Sequence, residues 1–179
     1  MTLSMTIRVA YRKAKVGFVF ARRGLVSEAA SSYYLPRLIG YGRATHATST
    51  GSVYQADDQA LSGLFTDFAD TPESAVTRAL EIAEDIANNT SAVAAFLTRE
   101  LIWRGKNTPD ETHLLDSRIL ANLRGGKDNN EGVQSFMEKR PAKFTASVDT
   151  ELPDVYPWWP TVDTKAPGQK LGTGRLSKL

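Results

Sequence analysis

Helix start and stop signals recur through the middle of the chain and constrain its fold more than any other feature. Threonine-proline pairs and a serine favour helix N-caps and first turns, and glycine or proline favours helix ends. Apolar residues recur at helical spacing between these signals. The pattern predicts four helices within 70–140: after Thr71-Pro72, from Thr90-Ser91 to Gly105, from Thr108-Pro109 to Gly125-Gly126, and from about Asn130 to Arg140 before Pro141.

The first three predicted helices each carry an apolar stripe, which we expect to face a core. The stripes are Val76, Ala79, Leu80, Ala83, Ile86 and Ala87 on the first, Val93, Phe96, Leu97 and Leu101 on the second, and Leu115, Ile119 and Leu123 on the third.

The residues before these helices have a different sequence pattern. Short β-like runs at Met5–Ala10 and Gly17–Ala21 alternate with helix-like stretches at Tyr33–Ile39 and Ala56–Leu64, which favours an α/β (α+β) layer. Prolines and glycines near the C-terminus predict a largely irregular tail, from which the apolar pair Trp158-Trp159 docks on the body. We therefore divide the chain into 1–66, 67–141 and 142–179.

Composition excludes several classes of protein. The chain is 41% hydrophobic and 23% charged, as in ordinary globular domains, and it contains no cysteine. Its two histidines, His46 and His113, are far apart, so we expect no metal centre. No apolar run approaches the roughly 20 residues of a membrane span, and the N-terminus lacks a secretory signal. We expect a soluble intracellular protein.

Positive charge is concentrated near the N-terminus, although the net charge is only +2. Residues 1–56 contain one acid, Glu28, and eight basic side chains, which either attract the phosphates of a nucleotide or simply solvate a surface. No nucleic-acid-binding motif accompanies them, so we expect no nucleic-acid partner. The basic residues are Arg8, Arg12, Lys13, Lys15, Arg22, Arg23, Arg37 and Arg43.

The candidate chemical group of this half is Glu28. Small residues follow it, and Phe18, Phe20 and two tyrosines lie nearby in the sequence and could provide an apolar, substrate-binding surface. A carboxylate in apolar surroundings has a raised pKa and can transfer protons near neutral pH. The alternative is a helix N-terminal glutamate that interacts only with the helix dipole.

Three motifs in order resemble the second half of the crotonase (enoyl-CoA hydratase/isomerase) superfamily. They are the segment KAKVGFVFARRGLVSEAASSYYLPRLIGYGRA, the element TGSVYQADDQALSGLF, and the C-terminal NNEGVQSFMEKRPAKF. The resemblance implies a partial ββα spiral followed by a helical trimerisation region, assembled as a homotrimer or hexamer or with intact paralogues. It also implies acyl-CoA thioester substrates, with coenzyme A as part of the substrate and no separate cofactor. Lys139, in the E-K-R motif, would lie near the nucleotide phosphates, although it could also be a solvated surface lysine.

Two departures from the family pattern bear on the reaction. Family hydratases use two glutamates, and one of those positions is Phe20 here; Glu28 instead resembles the single catalytic glutamate of peroxisomal enoyl-CoA isomerases. One base suffices to move a double bond from the 3- to the 2-position through a thioester enolate. We therefore expect an isomerase, in peroxisomal β-oxidation or secondary-metabolite acyl-CoA processing, with a 2-enoyl-CoA hydratase as the alternative.

The resemblance lacks the family's N-terminal portion, which carries both backbone donors of the oxyanion hole. Removing one such donor typically costs about 10²–10³-fold in rate. The sequence therefore leaves a further alternative, a truncated, non-catalytic family remnant.

The last three residues, Ser177-Lys178-Leu179, form a peroxisomal import tripeptide. Arg175 lies just upstream, and the Gly/Pro-rich stretch from Ala166 is expected to leave the terminus accessible. The sequence predicts recognition by the import receptor and a location in the peroxisome.

Overall fold

The computed structural model describes residues 3–162. In chain order, the described part contains the strands and helices β1 (Val9–Tyr11), β2 (Lys15–Gly17), α1 (Ser31–Ile39), α2 (Tyr41–Thr50), β3 (Val53–Gln55), β4 (Asp67–Ala69), α3 (Pro72–Asn89), α4 (Ala92–Arg104), α5 (Pro109–Leu123) and α6 (Lys127–Glu138). Single 3-10 turns lie at Ala21–Arg23 and Gln59–Leu61. This mixed order agrees with the predicted fold class.

The strands form two small sheets that join residues distant in the sequence. β1 pairs in parallel with β4, with Ala10 opposite Phe68, and β2 pairs antiparallel with β3, with Val16 opposite Tyr54. The predicted strands are shifted from the observed ones: β1 begins at Val9 within the first run, and β2 ends at Gly17, where the second run begins. Their partners lie some tens of residues away, so local pattern could not set their bounds.

A first hydrophobic core lies between the two small sheets and the helices α1 and α2. It takes the buried side chains of β1, β2, α1 and α2, with Leu35 and Ile39 both 1% exposed. The backbone at Gly63 approaches that of α1 closely. The φ of Gly63 is +94°, and a Cβ there would lie 2.6 Å from the carbonyl oxygen of Leu38. Glycine alone fits this approach.

The helix α2 was not predicted, and the helix expected at Ala56–Leu64 is only a 3-10 turn. The sequence of α2 is rich in threonine, serine and glycine, which have low helix propensity. Ala44 and Ala47 are buried against α1, and the Thr48 hydroxyl donates to the Ala44 carbonyl over 2.8 Å. Tertiary packing therefore decides this helix.

The four helices predicted within 70–140 are confirmed. The hydroxyls of Thr71, Ser91 and Thr108 accept hydrogen bonds from the first turns of α3, α4 and α5, and Thr71 forms a reciprocal capping box with Ser74. α6 begins at Lys127, earlier than the expected Asn130.

The apolar stripe of α3 is largely exposed in the described chain, contrary to the expectation that it faces a core. Val76 is 61% exposed and Leu80 is 65% exposed. The helix packs on β1 and β4, and Ala75 and Ile82 are its half-buried residues. The side chains on the predicted stripe therefore point away from this chain's own sheets.

A second core forms where α4 and α5 meet the residues after α6. Val93, Leu97, Leu115 and Ile119 are buried, as their stripes predicted. The segment 146–159 covers them with an aromatic group, so the prediction that Trp158-Trp159 docks on the body is confirmed. None of the helices within 3–162 has the length and hydropathy needed to cross a membrane.

Candidate functional site

Glu28 lies in the loop between the 3-10 turn at Ala21–Arg23 and the start of α1. Its side chain is exposed, and its carboxylate makes no hydrogen bond or ion pair with any residue from 3 to 162. Leu25 and Val26, just before it, are 61% and 85% exposed. The described residues thus leave this carboxylate open to a ligand, and they do not form the apolar enclosure expected around it.

The backbone on the C-terminal side of Glu28 is held in an unusual conformation. Ala29 and Ala30 have φ values of 52° and 54°, in the left-handed region that non-glycine residues rarely occupy. The carbonyl oxygen of Glu28 accepts hydrogen bonds from both the amide and the hydroxyl of Ser31. The direction of the Glu28 side chain therefore depends on a tight, bonded turn.

The two predicted phenylalanines occupy different environments. Phe18 is 6% exposed and belongs to the first hydrophobic core. Phe20 is half-buried, and its carbonyl oxygen accepts from Arg23 and Leu25, which closes the turn before Glu28. Of the two, Phe20 is therefore the one with surface available to a ligand.

Several arginines of the basic N-terminal region are fixed by backbone carbonyls around α1 and α2. Arg22 donates to Thr50 over 2.7 Å and packs over Gly51, which explains the glycine of the T-G element. Arg37 lies 3.6 Å above the ring centre of Tyr33, and Arg43 donates to Ile39 over 2.8 Å. Arg37 and Arg43 thus hold positive charge on the two helices that follow Glu28, and Arg22, which precedes Glu28, is bound to the end of α2.

Lys139 lies at the C-terminal end of α6, in the left-handed conformation with φ 54°. Its side chain is exposed, and its ammonium makes no ion pair within the described part of the chain. The flanking residues of the E-K-R motif are engaged: Arg140 binds Glu131 through two nitrogens, at 2.6 and 3.0 Å, and Glu138 at 2.6 Å. The motif therefore fixes the end of α6 through Arg140, and the Lys139 ammonium has no ion-pair partner in the described part of the chain.

This network has a clear electrostatic consequence. The hydrogen bonds from Arg140 and from the backbone amide of Lys143 lower the pKa of Glu131 to about 2. Glu131 is thus charged at every physiological pH and ties the end of α6 to the segment that follows it.

Glu28 and Lys139 belong to different halves of the described chain, and no hydrogen bond or ion pair between them exists within 3–162. The halves meet elsewhere. Arg99 of α4 donates to the hydroxyl of Thr6 over 2.8 Å, and Tyr34 of α1 packs edge-to-face on Trp103 at 5.2 Å. The predicted tripeptide Ser177-Lys178-Leu179 lies outside the described residues.

Two features of the site were missed in the sequence. The sequence gives no sign that Ser31 bonds to the Glu28 carbonyl, and nothing in it marks Ala29 and Ala30 as left-handed, because alanine is not a turn residue of that kind. The Arg140–Glu131 pair was detectable in principle, since a motif with adjacent opposite charges and an earlier glutamate invites pairing across a helix end.

Comparison with known proteins identifies the family. The sequence model of a family described as "Enoyl-CoA hydratase/isomerase" matches residues 1–147. "Enoyl-CoA hydratase AFT3-1" of Alternaria alternata is 51% identical over 144 residues, covering 80% of this chain and 49% of that protein. "Mevalonyl-coenzyme A hydratase SIDH" of Beauveria bassiana is 30% identical over 143 residues, covering 78% and 51%.

Solved structures agree with the sequence comparison. A probable enoyl-CoA hydratase/isomerase from Mycobacterium abscessus matches with a TM-score of 0.75 at 26% identity, covering 81% of this chain and 59% of that one. An enoyl-CoA hydratase from Mycobacterium tuberculosis matches with a TM-score of 0.75 at 28% identity, covering 81% and 57%. The chain spans about half the length of the curated relatives it matches. By sequence and by fold, the chain belongs to the enoyl-CoA hydratase/isomerase family, the crotonase superfamily.

Proposed function

We propose that this chain acts on enoyl-CoA thioesters and that Glu28 moves the proton in a shift of the double bond from the 3- to the 2-position. The observation that carries the proposal is the exposed carboxylate of Glu28, which has no partner among residues 3–162 and lies at the start of a hydrogen-bonded turn. Glu28 is also the sole acid in residues 1–56, and Phe20 occupies the place of a second glutamate. One base at this point suits a reaction that takes a proton from one carbon and returns it to another.

The reaction needs only one proton carrier. The carboxylate of Glu28 removes a proton from C2 of the 3-enoyl thioester, and the electron pair of that C–H bond delocalises into the thioester as an enolate. The carboxylic acid so formed returns the proton to C4 as the double bond moves to C2–C3. The thioester oxygen regains its carbonyl form, so atoms and charge balance without any other reactant.

Hydration of a 2-enoyl-CoA is the second candidate. The support for it is the naming of the Alternaria alternata relatives, three of which are called enoyl-CoA hydratases and are 51% identical to this chain. Addition of water would need Glu28 to activate an ordered water, because Phe20 cannot share that task. A rate of hydration well above the rate of isomerisation would favour this candidate.

Substrate binding is assigned by position and charge. We place Lys139 against the CoA phosphates, because its ammonium is exposed and unpaired within 3–162, and Phe20 against the acyl portion. Phe18 supports the same segment from the core. Coenzyme A arrives as part of the substrate, and no separate cofactor is required by the proton transfer.

Assembly and location complete the proposal. The exposed apolar stripe of α3 and exposed Phe136 and Met137 on α6 suit a homotrimer or hexamer, or assembly with longer paralogues. The terminal Ser177-Lys178-Leu179 suits capture by the import receptor and a place in the peroxisomal matrix.

The test is turnover by the purified 179-residue protein. Conversion of 3-hexenoyl-CoA to 2-hexenoyl-CoA is followed at the absorbance of the conjugated product, and hydration of crotonyl-CoA is followed by its loss. We expect Glu28→Gln to abolish the isomerisation, whereas Glu84→Gln, on the exposed face of α3, leaves it unchanged. Equal rates in wild type and Glu28→Gln would remove Glu28 from the mechanism, and a chain that turns over neither substrate would support the non-catalytic alternative.

A further inference from the structure

The turn between Glu28 and α1 is held by a serine. The amide of Ser31 donates to the carbonyl oxygen of Glu28 over 3.0 Å, and the hydroxyl of Ser31 donates to the same oxygen over 2.6 Å. Ser31 is only 7% exposed, so its hydroxyl has little access to water as an alternative partner. A single carbonyl therefore receives both donors of one buried residue.

The two residues inside the turn are strained. Positive φ at both central positions characterises type I′ turns, which glycine, asparagine and aspartate dominate. Here the positions are Ala29 and Ala30, with φ 52° and 54°. A left-handed conformation is unfavourable for an alanine, so the surrounding contacts must hold the pair in place.

Ser31 is well placed to supply that hold, because it is also the first residue of α1. Leu35 and Ile39, further along the helix, are each 1% exposed, and Tyr34 packs on Trp103 of α4. The helix is thus fixed to both halves of the chain, and the Ser31 hydroxyl extends this rigidity back to Glu28.

We infer that Ser31 is a positioning residue for Glu28: its hydroxyl, with the left-handed Ala29-Ala30 pair, sets the direction in which the carboxylate leaves the backbone. This inference rests on the catalytic role proposed above for Glu28. Without the hydroxyl, Ala29 and Ala30 relax toward negative φ and Glu28 turns away from its present direction. Misplacement of a catalytic group by about 1 Å can cost on the order of 100-fold in rate.

The chain offers a matched control. Ser135 on α6 is 4% exposed, and its hydroxyl also donates to a carbonyl three residues earlier, that of Gly132, over 3.2 Å. Ser31→Ala and Ser135→Ala therefore remove the same group from equally buried sites. Ser31→Thr retains the hydroxyl.

The first readout is independent of turnover. In the 179-residue protein, the intraresidue amide-to-Hα NOE and coupling of Ala29 and Ala30 report positive φ by NMR. We expect both signatures in the wild type, in Ser31→Thr and in Ser135→Ala, and their loss in Ser31→Ala. Positive φ retained in Ser31→Ala overturns the inference, whatever the activity of the protein.

The second readout is the kinetics of the isomerisation. We expect Ser31→Ala to lower kcat by about 10- to 100-fold with little change in KM, and Ser31→Thr to restore it. Ser135→Ala should keep the wild-type kcat, because the hydrogen bond that it removes lies within α6 and does not involve the turn after Glu28. If Glu28→Gln retains turnover while the turn relaxes in Ser31→Ala, the proposed role of Glu28 fails and the positioning of its backbone by Ser31 stands.

Discussion

The indole nitrogen of Trp158 donates a hydrogen bond to the carbonyl oxygen of Arg104 over 2.7 Å. Arg104 ends α4, so this bond satisfies one of the carbonyls that a helix C-terminus leaves without a partner. Its guanidinium lies 4.4 Å above the ring centre of Trp159 and binds the buried carboxylate of Glu100 at 3.0 Å. Arg104 lies within the residues that the family model matches, whereas Trp158 lies after them.

Truncating Trp158 should therefore loosen the C-terminal segment from α4. We expect Trp158→Ala to lower the free energy of unfolding by about 2–3 kcal/mol, less than for a fully buried aromatic because the side chain is half-buried. Trp158→Phe keeps an aromatic ring, smaller than the indole, and loses the donor, and should cost about 1 kcal/mol. Urea denaturation followed by circular dichroism measures both. Val162→Ala, at an 83% exposed position, serves as the control and should change stability by less than about 0.5 kcal/mol.

The contribution of Glu131, near the end of α6, to the stability of the folded protein should fall in acid. The hydrogen bonds from Arg140 and Lys143 lower the pKa of Glu131 from 4.5 to about 2 in the folded state. The ionised carboxylate therefore stabilises the folded protein at any pH above the pKa of the unfolded state. That contribution is fully present above about pH 4.5 and is lost as the pH falls through about 2. We expect the stability difference between wild type and Glu131→Gln to shrink over this window. If the difference in stability between wild type and Glu131→Gln stayed constant with pH, the Arg140–Glu131 pair would not be holding Glu131 in its charged form. Glu84→Gln, at an exposed position, is the control.

Arg8 should be a strong determinant of stability although it is charged. It is 9% exposed, its Nε donates to the carbonyl oxygen of Leu64 over 2.6 Å, and its backbone pairs with the Thr66 hydroxyl. Arg8→Ala leaves a buried carbonyl without its donor, and we expect a loss of about 2–4 kcal/mol. Arg23→Ala removes an exposed arginine and should be nearly neutral in the same denaturation measurement. Equal effects of the two substitutions would contradict a role for the buried contacts.

The helices of the second half could be predicted because their signals are local. Thr71, Ser91 and Thr108 cap their own first turns, so residues within one helical turn carry the information. The docking of Trp158-Trp159 was predictable for a similar reason, since two adjacent indoles in a polar tail have few stable positions in water.

The remaining features depend on distant partners. β1 pairs with β4 across the whole first half, and α2 forms because Ala47 is fully buried, not because its threonines favour a helix. The α3 stripe was expected in a core, but periodicity shows only that a helix has an apolar face, and not which molecule covers it. At the candidate site, residue type and the family motif make Glu28 a candidate, whereas the left-handed turn that follows it has no local signal in two alanines.

Those two alanines lead to a prediction about the strain in the turn that follows Glu28. Ala30 is the N-cap of α1 with φ 54° and ψ 21°, a conformation that glycine adopts without strain. Glycine loses more chain entropy on folding, by roughly 0.5–1 kcal/mol, but it avoids a left-handed strain of about 1–2 kcal/mol. We therefore expect Ala30→Gly to raise the free energy of unfolding by about 0.5–1 kcal/mol.

The same substitution should leave kcat near the wild-type value, because glycine adopts the left-handed conformation without strain and the Ser31 hydroxyl still bonds to the Glu28 carbonyl. Ala83→Gly is the matched control: Ala83 is exposed within α3, where glycine should cost about 1 kcal/mol and leave turnover unchanged. Urea denaturation and the isomerisation assay on the same preparations decide the matter. A less stable Ala30→Gly would show that the left-handed alanine carries no strain, and a stable variant with a lowered kcat would show that the bonds from Ser31 are not sufficient to direct Glu28.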